Sequence, residues 1–289
     1  GCDMKPPPFE YRRAETVEEA LHHLKEYGEE AKLLAGGQSL VPLLSFRLAR
    51  PTCLVDVNPL TSLSYMERNG ELRIGALTRQ RALEDHPLTK DFPLLADAVP
   101  LIGHPAIRNR GTVGGSLCHA DPSAELPVAA VALGATLQVE GPGGKRAVPA
   151  GRFFVDYFET ALGPGEILTE VSFPVPGPKW GWSFLEMSRR HGDFAVVCLA
   201  AGIALDADGR CADARLVAGG VGPAPLRLQE AEEGLRGNPP TAARFEEAGR
   251  IAAETVRPVS DVHASSGFRK RLSGVLTERA LRKAHQRAQ

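Results

Sequence analysis

The apolar positions of this chain change period as it runs, and each change marks an element. From Val17, the residues Ala20, Leu21, Leu24 and Tyr27 recur at the steps that place them on one helix face. Thr16 and Glu19 frame the start of that helix as a capping box, and Gly28 ends it. Short continuous apolar runs at 31–34 and 53–57 are predicted as buried strands, with a short helical segment over 40–48 between them. This series makes a small α/β unit over residues 1–58.

A second unit, 59–176, follows. Asn69-Gly70 is a hairpin turn leading into a strand at 71–76. Helices are predicted at 78–83, 94–99 and 125–133, and strands at 135–140 and 167–173. Pro174, Pro176, Gly177 and Pro178 then break the pattern. Beyond them lie strands at 181–187, 195–205 and 214–218, and helices at 241–255 and 265–286. In the last helix Phe268, Leu272, Val275 and Leu276 are placed on one side. Strands first and helices after is an α+β order, so 177–289 is a third unit and the chain as a whole is α+β.

Composition narrows the function. Hydrophobic residues make up 43% and charged residues 24%, the balance of a globular protein. A formal charge of −1 gives no global pull toward nucleic acid or an anionic membrane. No apolar run is long enough to span a bilayer, and the first residues lack a signal-type apolar core, so a cytoplasmic chain is expected. The five cysteines are scattered without a CxxC pair. They read as free thiols of a reducing compartment, and no metal site is expected in this chain.

The candidate chemistry lies in two glycine pairs. Ala35-Gly36-Gly37-Gln38-Ser39 follows a predicted strand, and Gly111-Thr112-Val113-Gly114-Gly115-Ser116 precedes a polar run with His119, Asp121 and Glu125. Glycine lets backbone N–H groups approach an anion with no Cβ in the way. Two such loops could grip the two phosphates of one dinucleotide. Each could also be a tight turn, and Asp121 and Ser123 read first as caps of the helix near residue 123. Glu125 stands between the two readings. No GxGxxG fingerprint in a strand-turn-helix context occurs, which disfavours a Rossmann nicotinamide site. Gly141-Pro142-Gly143-Gly144-Lys145-Arg146 lacks the hydroxyl of a phosphate-binding loop and reads as a hairpin turn. His104, His119 and His191 match no compact metal site, and no GxSxG nucleophile motif is present. Arg189, Arg190, His191 and Asp193 form a charged connection beside Phe194.

Taken in order, Ala35-Gly36-Gly37-Gln38-Ser39-Leu40, Ile107-Arg108-Asn109-Arg110-Gly111-Thr112-Val113-Gly114-Gly115-Ser116, His119-Ala120-Asp121-Pro122 and Arg189-Arg190-His191-Gly192-Asp193-Phe194-Ala195 resemble the FAD-binding medium subunit of molybdenum hydroxylases. These are enzymes of the carbon monoxide dehydrogenase, xanthine dehydrogenase and quinoline 2-oxidoreductase type. The likeness runs end to end and includes Ser260-Asp261-Val262-His263 before the last helix.

The resemblance implies an FAD-binding fold of two N-terminal α/β subdomains, 1–58 and 59–176, and a C-terminal α+β domain, 177–289, of antiparallel sheet and helices. It implies that Lys32, Leu33, Leu34, Ala35, Gly36, Gly37, Gln38 and Ser39, with Gly111, Thr112, Val113, Gly114, Gly115 and Ser116, embrace the pyrophosphate through backbone amides. His119, Asp121 and Glu125 would offer polar groups to the FAD chain. Ile102 and Phe194 would lie near the two flavin faces, and Leu168 near the adenine. Gln38 replaces a histidine common in the family, which rules out a covalent histidyl-flavin there. Phe184-Leu185-Glu186-Met187 lacks the lysine that xanthine dehydrogenase relatives carry near the ring.

The implied role is electron transfer. A large molybdenum-pterin subunit would hydroxylate the substrate, and a small subunit would carry two [2Fe–2S] clusters. This chain would pass electrons through FAD to an external acceptor, in an (αβγ)2 heterohexamer. The Gln38 and Phe194 context leans toward the N-heterocycle branch. The second hypothesis is a self-sufficient FAD oxidoreductase with His104, His119 or Glu186 as acid or base.

Overall fold

Three sheets and a short hairpin organise the chain in the order of its apolar runs. The structure is a computed structural model, and it describes residues 10–28, 31–35, 53–103, 105–189 and 195–289. The first sheet is parallel. Strand β1 (Glu10–Arg13) and β2 (Ala31–Leu34) flank β3 (Cys53–Asp56). Helix α1 (Val17–Tyr27) covers it with Ala20 and Leu24 buried. Thr16 caps the helix as predicted, its hydroxyl accepting from Glu19 N at 3.1 Å. The other half of the capping box shifts by one residue, because Glu19 Oε2 accepts from Glu15 N instead.

The second sheet is antiparallel. β4 (Met66–Asn69), β5 (Glu71–Gly75), β6 (Thr136–Gly141), β7 (Gly144–Pro149) and β10 (Ile167–Pro174) stand in the order β4-β5-β10-β6-β7. A hairpin of β8 (Phe154–Asp156) and β9 (Glu159–Thr160) lies beside it. Residues 141–144 join β6 to β7 as the hairpin turn expected from sequence. Helices α2 (Pro93–Ala98), α3 (Pro105–Arg110), α4 (Val113–His119), α5 (Glu125–Leu133) and α6 (Ala150–Phe153) belong to this unit. Beyond Glu125, α5 is apolar on all sides, and all but Val131 of its residues are buried. It sits between the second sheet and the third.

The third sheet is β11 (Trp180–Ser188), β12 (Ala195–Leu205), β13 (Cys211–Gly219) and β14 (Leu226–Arg227), antiparallel in that order. Helices α7 (Gln229–Leu235), α8 (Ala242–Thr255) and α9 (Ser266–Ala288) pack on one of its faces. The opposite face joins the core of the second unit through Trp182, Phe184, Cys198, Ala200 and Val217. Thus α5 and α7–α9 sandwich the sheet.

Several elements differ from their predicted form. The helix expected at 78–83 is a single 3-10 turn, Gln80–Leu83. Arg79 instead bridges Thr112, and the Thr78 hydroxyl donates to Tyr65 O rather than capping. The second glycine pair is helical: Thr112 caps α4 and Gly114 and Gly115 lie in its first turn. On α9, Leu272 and Leu276 are buried whereas Phe268 and Val275 are exposed, so the four do not share a side. Phe268 and Val275 are seven residues apart and form their own outward stripe. The helical segment expected over 40–48 lies outside the described residues.

Candidate functional site

The first and second units meet where their glycine segments begin. Ala35 follows β2 directly, and its carbonyl oxygen lies 3.7 Å from where a Cβ on Gly115 would stand. That same Cβ would come within 2.7 Å of the Thr112 hydroxyl that caps the helix. A side chain at 115 would therefore fill the space between the two segments and disturb the cap. Gly114 has a different reason: its Cβ would meet Ala76 O and Ala76 Cβ at 2.7 Å, so the helix lies flush on the strand end. One glycine leaves the Thr112 cap and the space beside Ala35 clear, and the other seats the helix on the strand end.

Five of the six backbone amides expected from the second segment are already engaged. Gly111 N donates to Ile107 O at 2.7 Å, Val113 N to Thr78 O at 2.9 Å, and Gly114 N to Ala76 O at 2.7 Å. Gly115 N donates to Thr112 Oγ1 at 2.9 Å, and Ser116 N to Thr112 O at 3.1 Å. A buried or half-buried amide so bonded has nothing further to give a ligand. This differs from the sequence expectation for these five amides: their hydrogen bonds stay within the protein. Gly115, Ser116 and His119 are only half-buried and share a helix face by their three- and four-residue spacing.

His119 ends α4 with its ring 5.1 Å from that of Phe158, which sits on the β8–β9 turn in a left-handed conformation, φ 54°. Burial pushes the His119 pKa down, against the pull of Asp121. Its imidazole is thus held toward the neutral form, able both to donate and to accept. Asp121 does not cap the next helix as expected. It accepts from Ser123 N at 2.9 Å in a local turn, and Ala124 occupies the cap position of α5 without a side-chain bond. The geometry of residues 121–124 fixes the reason: the Asp121 side chain reaches only two residues ahead.

Glu125 opens α5 and is 7% exposed. Burial pushes its carboxyl up to about 9, with further help from the neighbouring Glu186 and the hydrogen bond between them. Glu186 comes from β11 of the third sheet and belongs to the same inward row as Trp182 and Phe184. Cross-strand pairing sets Cys198 next to Glu186 and Gly219 next to Cys198. A Cβ on Gly219 would lie 2.6 Å from both Cys198 Sγ and Val128 Cγ2, so only glycine lets α5 approach the sheet here. Gly220 N donates to Pro122 O at 2.8 Å and ties the turn before α5 to the end of β13. The pairing of Glu125 with Glu186 was not foreseen from sequence. Its signal was phase: a charged residue two positions beyond two inward aromatics on one strand face.

The remaining expected residues are spread around this seam. Lys32 is exposed, and Leu33, Leu34 and Ala35 are half-buried along β2 and its end. Ile102 is buried, and its carbonyl accepts from Arg108 Nη1 at 3.1 Å. Arg108 also pairs with Glu84, which fixes the segment after Ile102. Leu168 is buried beside a bulge in β10 within the core of the second unit. Gly36, Gly37, Gln38, Ser39 and Phe194 lie outside the described residues.

These residues fit an FAD. There is a bare glycine opposite Ala35, a hydroxyl and an imidazole on one helix face, and a buried carboxyl one turn of chain away. No helix among the described residues is long and apolar enough to cross a membrane.

Comparison with known proteins agrees with the geometry. Residues 7–176 match the family described as FAD binding domain in molybdopterin dehydrogenase. Residues 182–284 match the CO dehydrogenase flavoprotein C-terminal domain. The chain is 42% identical over 287 residues to the 6-hydroxypseudooxynicotine dehydrogenase complex subunit alpha of Paenarthrobacter nicotinovorans, covering 99% of this chain and 97% of that one. It is 33% identical to the carbon monoxide dehydrogenase medium chain of Hydrogenophaga pseudoflava, covering 97% and 98%. Among solved structures, a carbon monoxide dehydrogenase chain from the same organism superposes with a TM-score of 0.94 at 34% identity, over 98% of this chain and 99% of that one. Quinoline 2-oxidoreductase from Pseudomonas putida 86 superposes with a TM-score of 0.93 at 37% identity, over the same shares. The chain belongs to the FAD-binding medium subunits of the molybdenum hydroxylase family, and is the flavoprotein part of an oxidoreductase.

Proposed function

We propose that this chain is the electron-transfer subunit of its complex, receiving electrons from [2Fe–2S] clusters of a small partner and delivering them to an external acceptor. A large partner carrying molybdenum-pterin would oxidise the substrate. The observation that carries the reading is the bare backbone at Gly115, which leaves room for no more than a methyl group beside Ala35 O and shares its helix face with Ser116 and His119. Bound FAD would supply the chemistry, taking up electrons singly and giving them up in pairs. The chain's own share is to bind, orient and shield. Ser116 and His119 would hold the polar chain of the cofactor, with Glu125 behind them. Lys32, Leu33, Leu34 and Ala35 would form the opposite wall, with Gly36, Gly37, Gln38 and Ser39 following from it. Ile102 and Phe194 would cover the ring, and Leu168 would back the adenine.

The self-sufficient oxidoreductase has weaker support. Of its acid–base candidates, His119 packs on Phe158 and Glu186 is engaged with Glu125. His104 lies outside the described residues. The names of the relatives support an assembly with partner subunits, and the (αβγ)2 arrangement and a large and a small partner are part of this proposal.

The test is to load the isolated chain with FAD and offer it aromatic N-heterocycles, purines, aldehydes and carbon monoxide without oxygen. The same series is run with the companion subunits. Bleaching of the flavin band only when the companions are present is expected. Bleaching of the isolated chain by any of these substrates would overturn the proposal in favour of direct oxidation.

A further inference from the structure

Glu125 and Glu186 approach one another from two different units, α5 and β11. Glu186 Oε2 is buried and accepts no N–H or O–H from any described residue when both carboxyls are ionised. The Glu125 carboxyl is the hydrogen-bonding neighbour of the Glu186 carboxyl. No lysine or arginine among the described residues forms an ion pair with either. The groups that face the pair are Asp121 from the turn before α5 and the Cys198 thiol from β12, and neither brings a positive charge. Two carboxylates cannot both stay charged in such a place, and a buried acceptor left without a donor is costly. One proton between the oxygens answers both demands at once.

We propose that Glu186 is a positioning residue for the cofactor site, sharing one proton with Glu125 across the seam and so holding Glu125 neutral and fixed in orientation beside the FAD. This rests on the reading that places Glu125 at the cofactor. The proton sits on Glu125 first. Burial raises both carboxyls, and the bond from Glu125 draws Glu186 back down. When the shared proton leaves, two like charges face each other between α5 and β11. The seam and the hold on FAD then weaken together.

The experiment follows FAD release by recovery of flavin fluorescence across pH, in the complex, for the wild type, Glu186→Gln and Glu125→Gln. Wild-type retention is expected to be level up to about pH 9. Above it the Kd rises by up to about tenfold per pH unit, the limit for one proton. Glu125→Gln should lose that inflection, and Glu186→Gln should move it to lower pH, because burial still raises Glu125 while the facing carboxylate no longer does. A second readout is the infrared C=O stretch of a protonated carboxylic acid at neutral pH, present in the wild type and absent in Glu125→Gln. An unchanged inflection in the variants, or no such band in the wild type, would overturn the proposal even while FAD binds normally. A protein that shows the band but binds no FAD at any pH would instead defeat the cofactor reading on which the role depends, and the role with it.

Discussion

The two faces of the third sheet are built from the same strands and to different ends. The face toward α7–α9 carries Val197, Leu199, Ala201 and Ile203 against Leu272, Leu276, Ala280 and Leu281, all buried and all apolar. The face toward α5 carries Trp182, Phe184, Cys198 and Gly219, and among them Glu186. The first face is packed mostly by these side chains and carries fixed backbone fasteners, Arg269 donating to Val196 O and Gly220 O and Glu232 accepting from Leu216 N. The second admits a titratable pair and is held by polar fasteners at its margins. Gly220 N binds Pro122 O, and Arg287 reaches from the end of α9 to Asp97 and to Trp182 O. A sheet can thus anchor a domain with one face and tune a cofactor site with the other. The two jobs do not compete because successive residues of a strand point opposite ways.

Cutting into the sealed face should have the largest effect. Leu199→Ala removes a fully buried side chain and should cost about 2–5 kcal/mol in urea unfolding, with the pH profile of FAD release unchanged. An altered pH profile would mean that the two faces are not independent. Next comes the fastener. Arg287→Ala loses bonds of 2.6 Å to Asp97 and 2.7 Å to Trp182 O, and should cost about 1–2 kcal/mol. Both partners are partly exposed, so added salt should narrow the gap to the wild type.

The pair itself predicts a slope. The folded carboxyl of Glu125 is raised from 4.5 to about 9, so between these values the native protein holds a proton that the unfolded chain has released. Stability should therefore fall as pH rises through that window, by up to about 1.4 kcal/mol per unit, and level off above it. Glu125→Gln should remove this contribution, which urea titrations at several pH values would reveal as a flatter curve. The smallest effect belongs to the outward stripe of α9. Phe268→Ser should change stability by less than about 0.5 kcal/mol, since its ring is 42% exposed. A larger loss would show that the helix contributes more to the core than its buried side suggests.

Much of the fold was legible because its elements obey one period at a time. The helix face of Ala20, Leu21 and Leu24, the long strand at 195–205 and the cap at Thr16 follow from spacing and local chemistry alone. The misreadings arose where a distant partner decided the matter. Thr78 looks like a helix cap, and Tyr65 and Thr112 recruit its neighbourhood into sheet pairing. Phe268 and Val275 look like core residues of α9, and of the four residues expected on its buried side only Leu272 and Leu276 are buried. At the site, the glycines marked the right place for a reason only partly foreseen. They were expected to free amides for phosphate, and the structure shows a packing reason beside it: Gly114 lies flush on Ala76 and Gly115 leaves the Thr112 cap clear. Glu186 could not be identified from its own stretch of chain, because its partner lies on another unit.

The most direct test of the account is the visible absorption spectrum of this protein purified from its native host, with its polypeptides resolved on a denaturing gel. Flavin bands together with iron–sulfur absorbance and two companion polypeptides are predicted. Flavin bands on a lone chain, or a colourless protein, would contradict the assignment of electron transfer to this subunit.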